Sequence, residues 1–303
     1  MAGIFLTGAT GLLGSRLLSK LTSNTTQRVV CLVRSRPAER PLGNIEFIHG
    51  DLLDSGSYSA AIADCETVVH LAAATGKHSP TDYFRVNRDG TKALLKEAKR
   101  ARVQQFLYVS TIAVKFSDIS RYYYAQSKRQ AEAIVTQSGL RWIIVRPTMI
   151  LGRHAPVFEG LARLAGLPVV PVFGDGRALV QPVFMDDLAI CLTRIVEQDL
   201  FGRRTLEIGG PEVLSIEELL LRIRSLHDGI KARVIHLPAR PIATLLAFAE
   251  PLLRSLLPIT AGQMASFTNA GTIDSDPWVA QQQTTMKRMD EMLHLVANDY
   301  ATV

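Results

Sequence analysis

A short apolar run, Ile4-Phe5-Leu6, ends in Thr7 and is followed by glycines at Gly8, Gly11 and Gly14. Apolar residues then recur at Leu12, Leu13, Leu17, Leu18 and Leu21, a helix-compatible pattern. The segment reads as a buried strand, a tight turn and a helix start, with a plain strand-to-helix connection as the alternative to a ligand site. Such a turn aims unpaired N–H groups and the positive end of a helix dipole at one point, which is a seat for phosphate. Each glycine has its own task. Gly8 allows the sharp turn, Gly11 lets backbone approach a pyrophosphate, and Gly14 lets the helix pack closely on the sheet. Thr10, Leu12 and Leu13 complete the cradle.

The chain beyond this turn alternates strand and helix patterns. Val29-Val30-Cys31-Leu32-Val33 is apolar throughout, as in a parallel strand covered on both faces. Arg34 comes next, twenty residues after Gly14, with Arg36 two residues on. A fold selective for NAD usually carries an acid there for the ribose 2′-hydroxyl; a guanidinium suits the 2′-phosphate of NADP instead. Further strands are expected at Ile45–Leu52, with Asp51 at its carboxyl end, at Thr67–Ala74, at Phe106–Val109 before Ser110-Thr111, and at Trp142–Val145 before Arg146-Pro147. Helical patterns cover 57–63, 82–102 and 121–137. His70 lies inside a strand and reads as a satisfied core histidine. This order predicts an α/β fold, a doubly wound parallel sheet whose ligand lies at the carboxyl ends of the strands.

On the helix at 121–137, Tyr124 and Lys128 stand at i and i+4, on one face and one turn apart. Tyr122 and Tyr123 are out of register with Lys128. Because the helix comes after Ser110-Thr111, the fold brings a hydroxyl, a phenol and an ammonium to one edge of the sheet.

Charge and composition narrow the partners. The 303 residues are 47% hydrophobic and 20% charged, with net charge +6 and a pI of about 9.3, which suits an anionic ligand or surface. No basic block with interleaved aromatics points to nucleic acid. Cys31, Cys65 and Cys191 are far apart in apolar runs, as expected for buried thiols in a reducing compartment, and no metal site is read from them. The first strand begins almost at Met1, so no signal peptide is expected, and the most apolar stretch, 241–258, is interrupted by Glu250 and Arg254. The cytoplasm is the expected location. Contact with a membrane surface is allowed but not favoured, and a homodimer is allowed.

The second half is punctuated by Gly and Pro from Met149 to Leu179. It then returns to a helix within Val183–Val196 and a strand at Thr205–Ile208, with Asp186 and Asp187 read as helix-start acids. Ser215 is expected to cap a helix with Glu218 at capping-box spacing, and Arg233–Pro238 to form a strand. The 241–258 stretch reads as a helix packed over the substrate pocket, with an interfacial helix or an apolar substrate wall as the alternatives. A Met-rich helical tail spans 281–303. The expected division is a cofactor domain of 1–148 and 180–210 and a smaller substrate-binding region of 149–179 and 211–303.

The ordered set Thr-Gly-Ala-Thr-Gly-Leu-Leu-Gly (7–14), Gly-Asp-Leu (50–52), His-Leu-Ala-Ala (70–73), Val-Asn-Arg-Asp-Gly-Thr (86–91), Val-Ser-Thr (109–111), Tyr-Ala-Gln-Ser-Lys-Arg-Gln-Ala-Glu (124–132), Arg-Pro-Thr-Met-Ile-Leu-Gly (146–152) and Phe-Met-Asp-Asp-Leu-Ala (184–189) resembles the short-chain dehydrogenase/reductases of the extended or atypical type. The resemblance covers about the first two thirds of the chain. It implies a Rossmann fold with the pyrophosphate on the Gly-rich turn, Asp51 and Leu52 beside the adenine, Ala72 and Ala73 along the cofactor, and Pro147 near the nicotinamide. It implies Thr111 as the catalytic hydroxyl, Tyr124 as acid/base, Lys128 as its partner on the nicotinamide ribose, and Asn87 in a structural role. A phenol near pKa 10 is moved towards useful acid/base chemistry by an adjacent ammonium. Ile112 and Ala113 stand where dehydratases of this family carry an Asp-Glu pair, which argues against dehydration. The last third is more loosely similar to the NAD(P)-binding accessory subunit of complex I. The expectation is an NADP(H)-dependent oxidoreductase acting on a carbonyl or alcohol, with NAD(H) as the other cofactor. A nucleotide-sugar epimerase or a non-catalytic NADP-binding protein are the alternatives.

Overall fold

The computed structural model describes residues 3–24, 27–35, 43–226, 233–253 and 260–301; Arg36 lies outside them. In chain order come β1 (Gly3–Thr7), α1 (Leu12–Asn24), β2 (Val29–Val33), β3 (Ile45–His49), α2 (Ser59–Ile62), β4 (Cys65–His70), α3 (Pro80–Tyr83), α4 (Gly90–Arg100) and β5 (Gln105–Val109). Next are α5 (Tyr123–Thr136), β6 (Arg141–Pro147), β7 (Ile150–Leu151), α6 (Pro156–Ala165), β8 (Val169–Phe173), β9 (Leu179–Val180), β10 (Val183–Phe184) and α7 (Met185–Glu197). The chain continues through β11 (Arg204–Ile208), β12 (Leu214–Ser215), α8 (Ile216–Arg224), β13 (Arg233–Leu237), α9 (Ala239–Leu253), α10 (Ala265–Thr268), α11 (Pro277–Gln283) and α12 (Met289–Ala301).

The central sheet has seven strands in the order β11-β6-β5-β4-β1-β2-β3. The pairs from β6 to β3 are parallel. The order 3-2-1-4-5-6 within it is that of a doubly wound dinucleotide-binding sheet, with the reversal between β1 and β4. β1 and β2 are buried along their whole length, which is why both lack polar alternation. Phe5, Val30, Val68, Phe106 and Ile144 carry the core across the strands, and Leu94 and Ala131 enter it from α4 and α5.

Several boundaries differ from the sequence expectation. The fourth strand stops at His70, because Ala72 turns its N–H to the Thr7 hydroxyl (3.2 Å) and leaves the ladder. The expected helix at 82–102 is three pieces: α3, a π-helical turn at Phe84–Asp89, and α4. α3 starts on a Ser79 cap, whose Oγ accepts from Asp82 N (3.1 Å), with Pro80 in the first turn. The extra residue of the π turn changes the helical phase and sets Asn87 inward, buried. The tail is broken into α11, capped by Asp276, and α12.

The chain divides into two compact units. The first holds Met1–Thr111, Ser127–Arg146 and Leu188–Leu206. The second holds Ile112–Gln126, Pro147–Asp187 and Glu207–Val303. In the second, three two-stranded sheets pair β10 with β7, β12 with β9, and β13 with β8. Its Met-rich tail is buried at Met286, Met289, Met292, Leu293 and Val296, so the tail docks on its own unit. Asp186 and Asp187 lie in the first turn of α7, and buried Asp187 accepts from Lys287 N (2.8 Å) and Nζ (3.0 Å). Ser215 caps α8 by accepting from Glu218 N (3.1 Å), but the Glu218 carboxylate accepts from Arg222 (2.9 Å), so the capping box is half formed.

Candidate functional site

The turn after β1 is built from glycine for steric reasons that can be named. Gly8 has φ +80°, and a Cβ there would sit 2.7 Å from Ala72 N and 2.9 Å from the Leu71 carbonyl carbon. A Cβ on Gly14 would overlap the Gly8 carbonyl oxygen. That oxygen accepts from Gly11 N at 3.0 Å, and a Cβ on Gly11 would lie 3.3 Å from it. Gly8 and Gly14 are therefore demanded by the fold, whereas Gly11 is exposed and leaves a bare backbone facing outward. Thr10 and Leu12 are also exposed and Leu13 is half-buried. This is a cradle that fits a pyrophosphate: small, open, and at the start of α1.

β4 is tied to this turn by one directed chain of hydrogen bonds. The Thr91 hydroxyl donates to the Asn87 carbonyl (2.6 Å), so it accepts from His70 Nε2 (2.9 Å). His70 Nδ1 then accepts from the Thr7 hydroxyl (2.6 Å), whose oxygen accepts from Ala72 N (3.2 Å). Burial, and secondarily the Lys128 charge, pull His70 down to about 3, so it is neutral. The imidazole is a satisfied core group with a fixed tautomer, in keeping with its place inside a strand.

Asn87 fixes the segment beyond β4. Its Oδ1 accepts from Ala74 N (2.7 Å), and its Nδ2 donates to Ala74 O (3.1 Å) and to Ser127 Oγ (2.9 Å). Ala72 and Ala73 lie in the stretch held by this clamp, half-buried. Ser127 is the residue before Lys128, so the clamp also positions α5.

Lys128 is 2% exposed. Its Nζ donates to Val109 O at 2.6 Å and stands 4.3 Å from the Tyr108 ring centroid. Burial pulls the ammonium down to about 7, while the Glu132 carboxylate acts in the opposite sense. Glu132, one turn later on α5, takes both ends of the Arg146 guanidinium (2.9 and 2.7 Å). Sequence reasoning missed this pair; its signal is the spacing Tyr124, Lys128, Glu132 on one helical stripe.

The remaining residues fall at strand ends. Thr111 lies two residues after β5, and the buried Ser110 hydroxyl before it has no hydrogen-bond partner among the described residues. Tyr124 lies in the first turn of α5, half-buried, its ring 5.9 Å from Tyr122. Pro147 ends β6. Arg34 is exposed just after β2. Asp51 is exposed after β3 and accepts from Leu53 N (2.8 Å). Leu52 turns inward: it is a core residue, and a Cβ on Gly90 would come 2.6 Å from its Cδ2. Only its backbone is left for a ligand. Cys31, Cys65 and Cys191 are buried free thiols; burial pushes Cys31 up to about 12 and Cys65 to about 11. Among the described residues no His, Cys, Asp and Glu cluster could hold a metal, and no helix is long and apolar enough to cross a membrane.

Comparison with known proteins bears on the family and the fold. The model of a family described as NAD(P)H-binding matches residues 8–157. A ceramide reductase of Caulobacter vibrioides is 31% identical over 245 residues, 80% of this chain and 75% of that protein. A 4-hydroxy-2-methyl-3-oxo-4-farnesyl-3,4-dihydroquinoline-1-oxide ketoreductase of Stigmatella aurantiaca is 29% identical over 84% of this chain and 81% of its own. The looser likeness to complex I is also found: the mitochondrial NADH dehydrogenase (ubiquinone) 1 alpha subcomplex subunit 9 of Arabidopsis thaliana is 24% identical over 97% of this chain and 75% of its own. An uncharacterized protein of Mycobacterium tuberculosis matches 71% of this chain at 27% identity, and the match spans only 22% of that longer protein. The crystal structure of WbmH from Bordetella bronchiseptica, in complex with NAD+, superposes with a TM-score of 0.71 over 100% of this chain and 99% of its own, at 20% identity, which speaks for the fold. With its sheet order, its glycine cradle and these relatives, the chain belongs to the NAD(P)H-binding family of Rossmann-fold proteins.

Proposed function

We propose that the chain is an NADPH-dependent carbonyl reductase of the short-chain dehydrogenase/reductase type, acting on a medium-sized apolar substrate. The observation that carries this reading is Lys128, a buried ammonium at the carboxyl end of β5, one helical turn after Tyr124. A buried lysine held near neutrality costs stability, and a fold retains such a group where chemistry needs it.

Gly8, Thr10, Gly11, Leu12, Leu13 and Gly14 hold the pyrophosphate, Asp51 and the Leu52 backbone flank the adenine, and Ala72, Ala73 and Pro147 line the cofactor. Arg34 pairs with the 2′-phosphate. The reduced nicotinamide, when bound, supplies the hydride. Thr111 donates a hydrogen bond to the substrate carbonyl oxygen. Tyr124 gives that oxygen its proton as negative charge develops, and the Lys128 ammonium favours the phenolate left behind. The substrate-binding region is assigned to 149–179 and 211–303, and the cofactor domain to 1–148 and 180–210. The names of the two reductase relatives, ceramide and a farnesylated ring system, support an apolar substrate. The three buried free thiols support a cytoplasmic location.

The test is a carbonyl and alcohol screen with both nucleotides, alongside fluorescence titration of NADPH and NADH. Tighter NADPH binding that Arg34→Asp reverses is expected; tighter NADH binding by the unaltered chain overturns the Arg34 assignment. Tyr124→Phe is expected to lower turnover about 10²–10⁴-fold with NADPH affinity kept. Unchanged turnover removes Tyr124 from the mechanism. Copurified, non-dialysable NAD would instead identify an epimerase.

A further inference from the structure

α9 is a 15-residue helix of sequence Ala-Arg-Pro-Ile-Ala-Thr-Leu-Leu-Ala-Phe-Ala-Glu-Pro-Leu-Leu. None of its described side chains, residues 239–250, is buried. Phe248 is 79% and Leu245 69% exposed, the two most exposed large apolar side chains among the described residues. They fall on one stripe with Pro241, and Arg240 and Thr244 stand beside it. No acid occupies these exposed positions. In β13, which precedes α9 in sequence, Ile235 is 48% exposed and Arg233 is exposed at the strand's start. Glu250 accepts from Ala261 N, and Glu217 is hydrogen-bonded to His236 (2.8 Å).

We infer that this face docks on an anionic lipid surface. An apolar ridge with Arg240 beside it and no acid among its exposed positions, on a chain of net charge +6, complements such a surface in both respects. A second copy fits worse, because a two-fold dimer buries two copies of the same patch together and so gathers two Arg240 side chains, and no acid from the exposed positions of α9, in one interface. The helix lies on the bilayer rather than through it. Fifteen residues span about 22 Å, short of a core of about 30 Å.

The face also has a local connection to α5. Arg121 Nη1 donates to Thr244 Oγ1 (3.4 Å), and Gly262 approaches so closely that a Cβ there would lie 2.7 Å from Arg121 O and 3.0 Å from Tyr122 Cα. Thr244 of α9, beside the exposed ridge, thus touches Arg121, and Gly262, beyond α9, packs on the same residues that lead into α5 and Tyr124. If the chain is the carbonyl reductase proposed, docking brings a membrane-dissolved substrate to that helix; the docking itself does not depend on that reading.

The experiment is co-sedimentation of the full chain with phosphatidylcholine vesicles, with and without phosphatidylglycerol, at low and high salt. Binding to the phosphatidylglycerol vesicles, weakened by salt, is expected. Leu245→Asp/Phe248→Asp should lower the partition coefficient at least about tenfold. Arg233→Glu/Arg240→Glu should abolish the lipid preference. Phe248→Trp should shift its emission to the blue on adding vesicles. Equal pelleting with both vesicles, no pelleting, or binding unaltered in the aspartate variant overturns the inference. A concentration-dependent dimer that the aspartate variant disperses, without vesicle binding, overturns it in favour of a second copy. NADPH titration of each variant reports folding, and loss of NADPH binding in the unaltered chain would sink the catalytic reading while leaving the vesicle result intact.

Discussion

Replacing Lys128 with Met removes a buried ammonium while keeping most of the side chain's length, and pH governs what this does to stability. A lysine ordinarily titrates at 10.5, and burial holds Lys128 at about 7. Between these values the unfolded chain keeps the proton and the folded chain releases it. The unfolded state then binds more protons, so stability rises with pH across that window, by at most about 1.4 kcal/mol per pH unit. From pH 7 to pH 8.5 the gain from this one group is about 1.6 kcal/mol. His70 titrates at about 3, and the Glu132 carboxylate is paired with Arg146. The assay is urea unfolding of the wild type and Lys128→Met at both pH values without nucleotide. The wild type should gain about 1.6 kcal/mol more than the variant on going up in pH, with the variant the more stable of the two at pH 7. Equal pH dependence in the two proteins refutes the reasoning, because it would mean that Lys128 stays charged in the folded state.

Four further substitutions probe the scaffold. Gly14→Ala should cost about 3 kcal/mol or more and abolish NADPH binding, while Gly11→Ala should leave the melting temperature nearly unchanged and weaken NADPH alone; calorimetry and fluorescence titration separate the two. Asn87→Ala strips hydrogen bonds from both polar atoms of Ala74 and should cost about 2–3 kcal/mol in urea unfolding. Arg146→Met leaves the Glu132 carboxylate buried without its partner and should cost about 3–5 kcal/mol, most of it recovered by Glu132→Met/Arg146→Met.

Legibility in the sequence divides along physical lines. The strands of the sheet are legible because β1, β2 and β5 are apolar runs, and the glycine turn because its conformation admits nothing else. His70 reads correctly as core from its position inside a strand. The break at Phe84–Asp89 is not legible: a π turn has no composition of its own, and only the buried Asn87 marks it afterwards. The Glu132–Arg146 pair escapes notice because its members lie on a helix and a strand that only the fold brings together. The inward turn of Leu52 depends on the bare Cα of Gly90, 38 residues away in sequence and invisible to any local pattern. Tyr124 and Lys128 can be nominated by spacing, and Thr111 by the family resemblance, but the burial of the lysine belongs to the tertiary structure alone.

The directed chain from Thr7 through His70 and Thr91 to the Asn87 carbonyl has a consequence for how such a sequence can drift. Each hydroxyl spends its single proton in one direction, so no member can be exchanged for a group that only accepts or only donates without reversing its neighbours. A valine at position 7 would orphan both His70 Nδ1 and Ala72 N at once. The three side chains are thus inherited as a unit: among descendants of this chain, a change at one should be accompanied by changes at the others, with serine for either threonine the one step that can be taken alone.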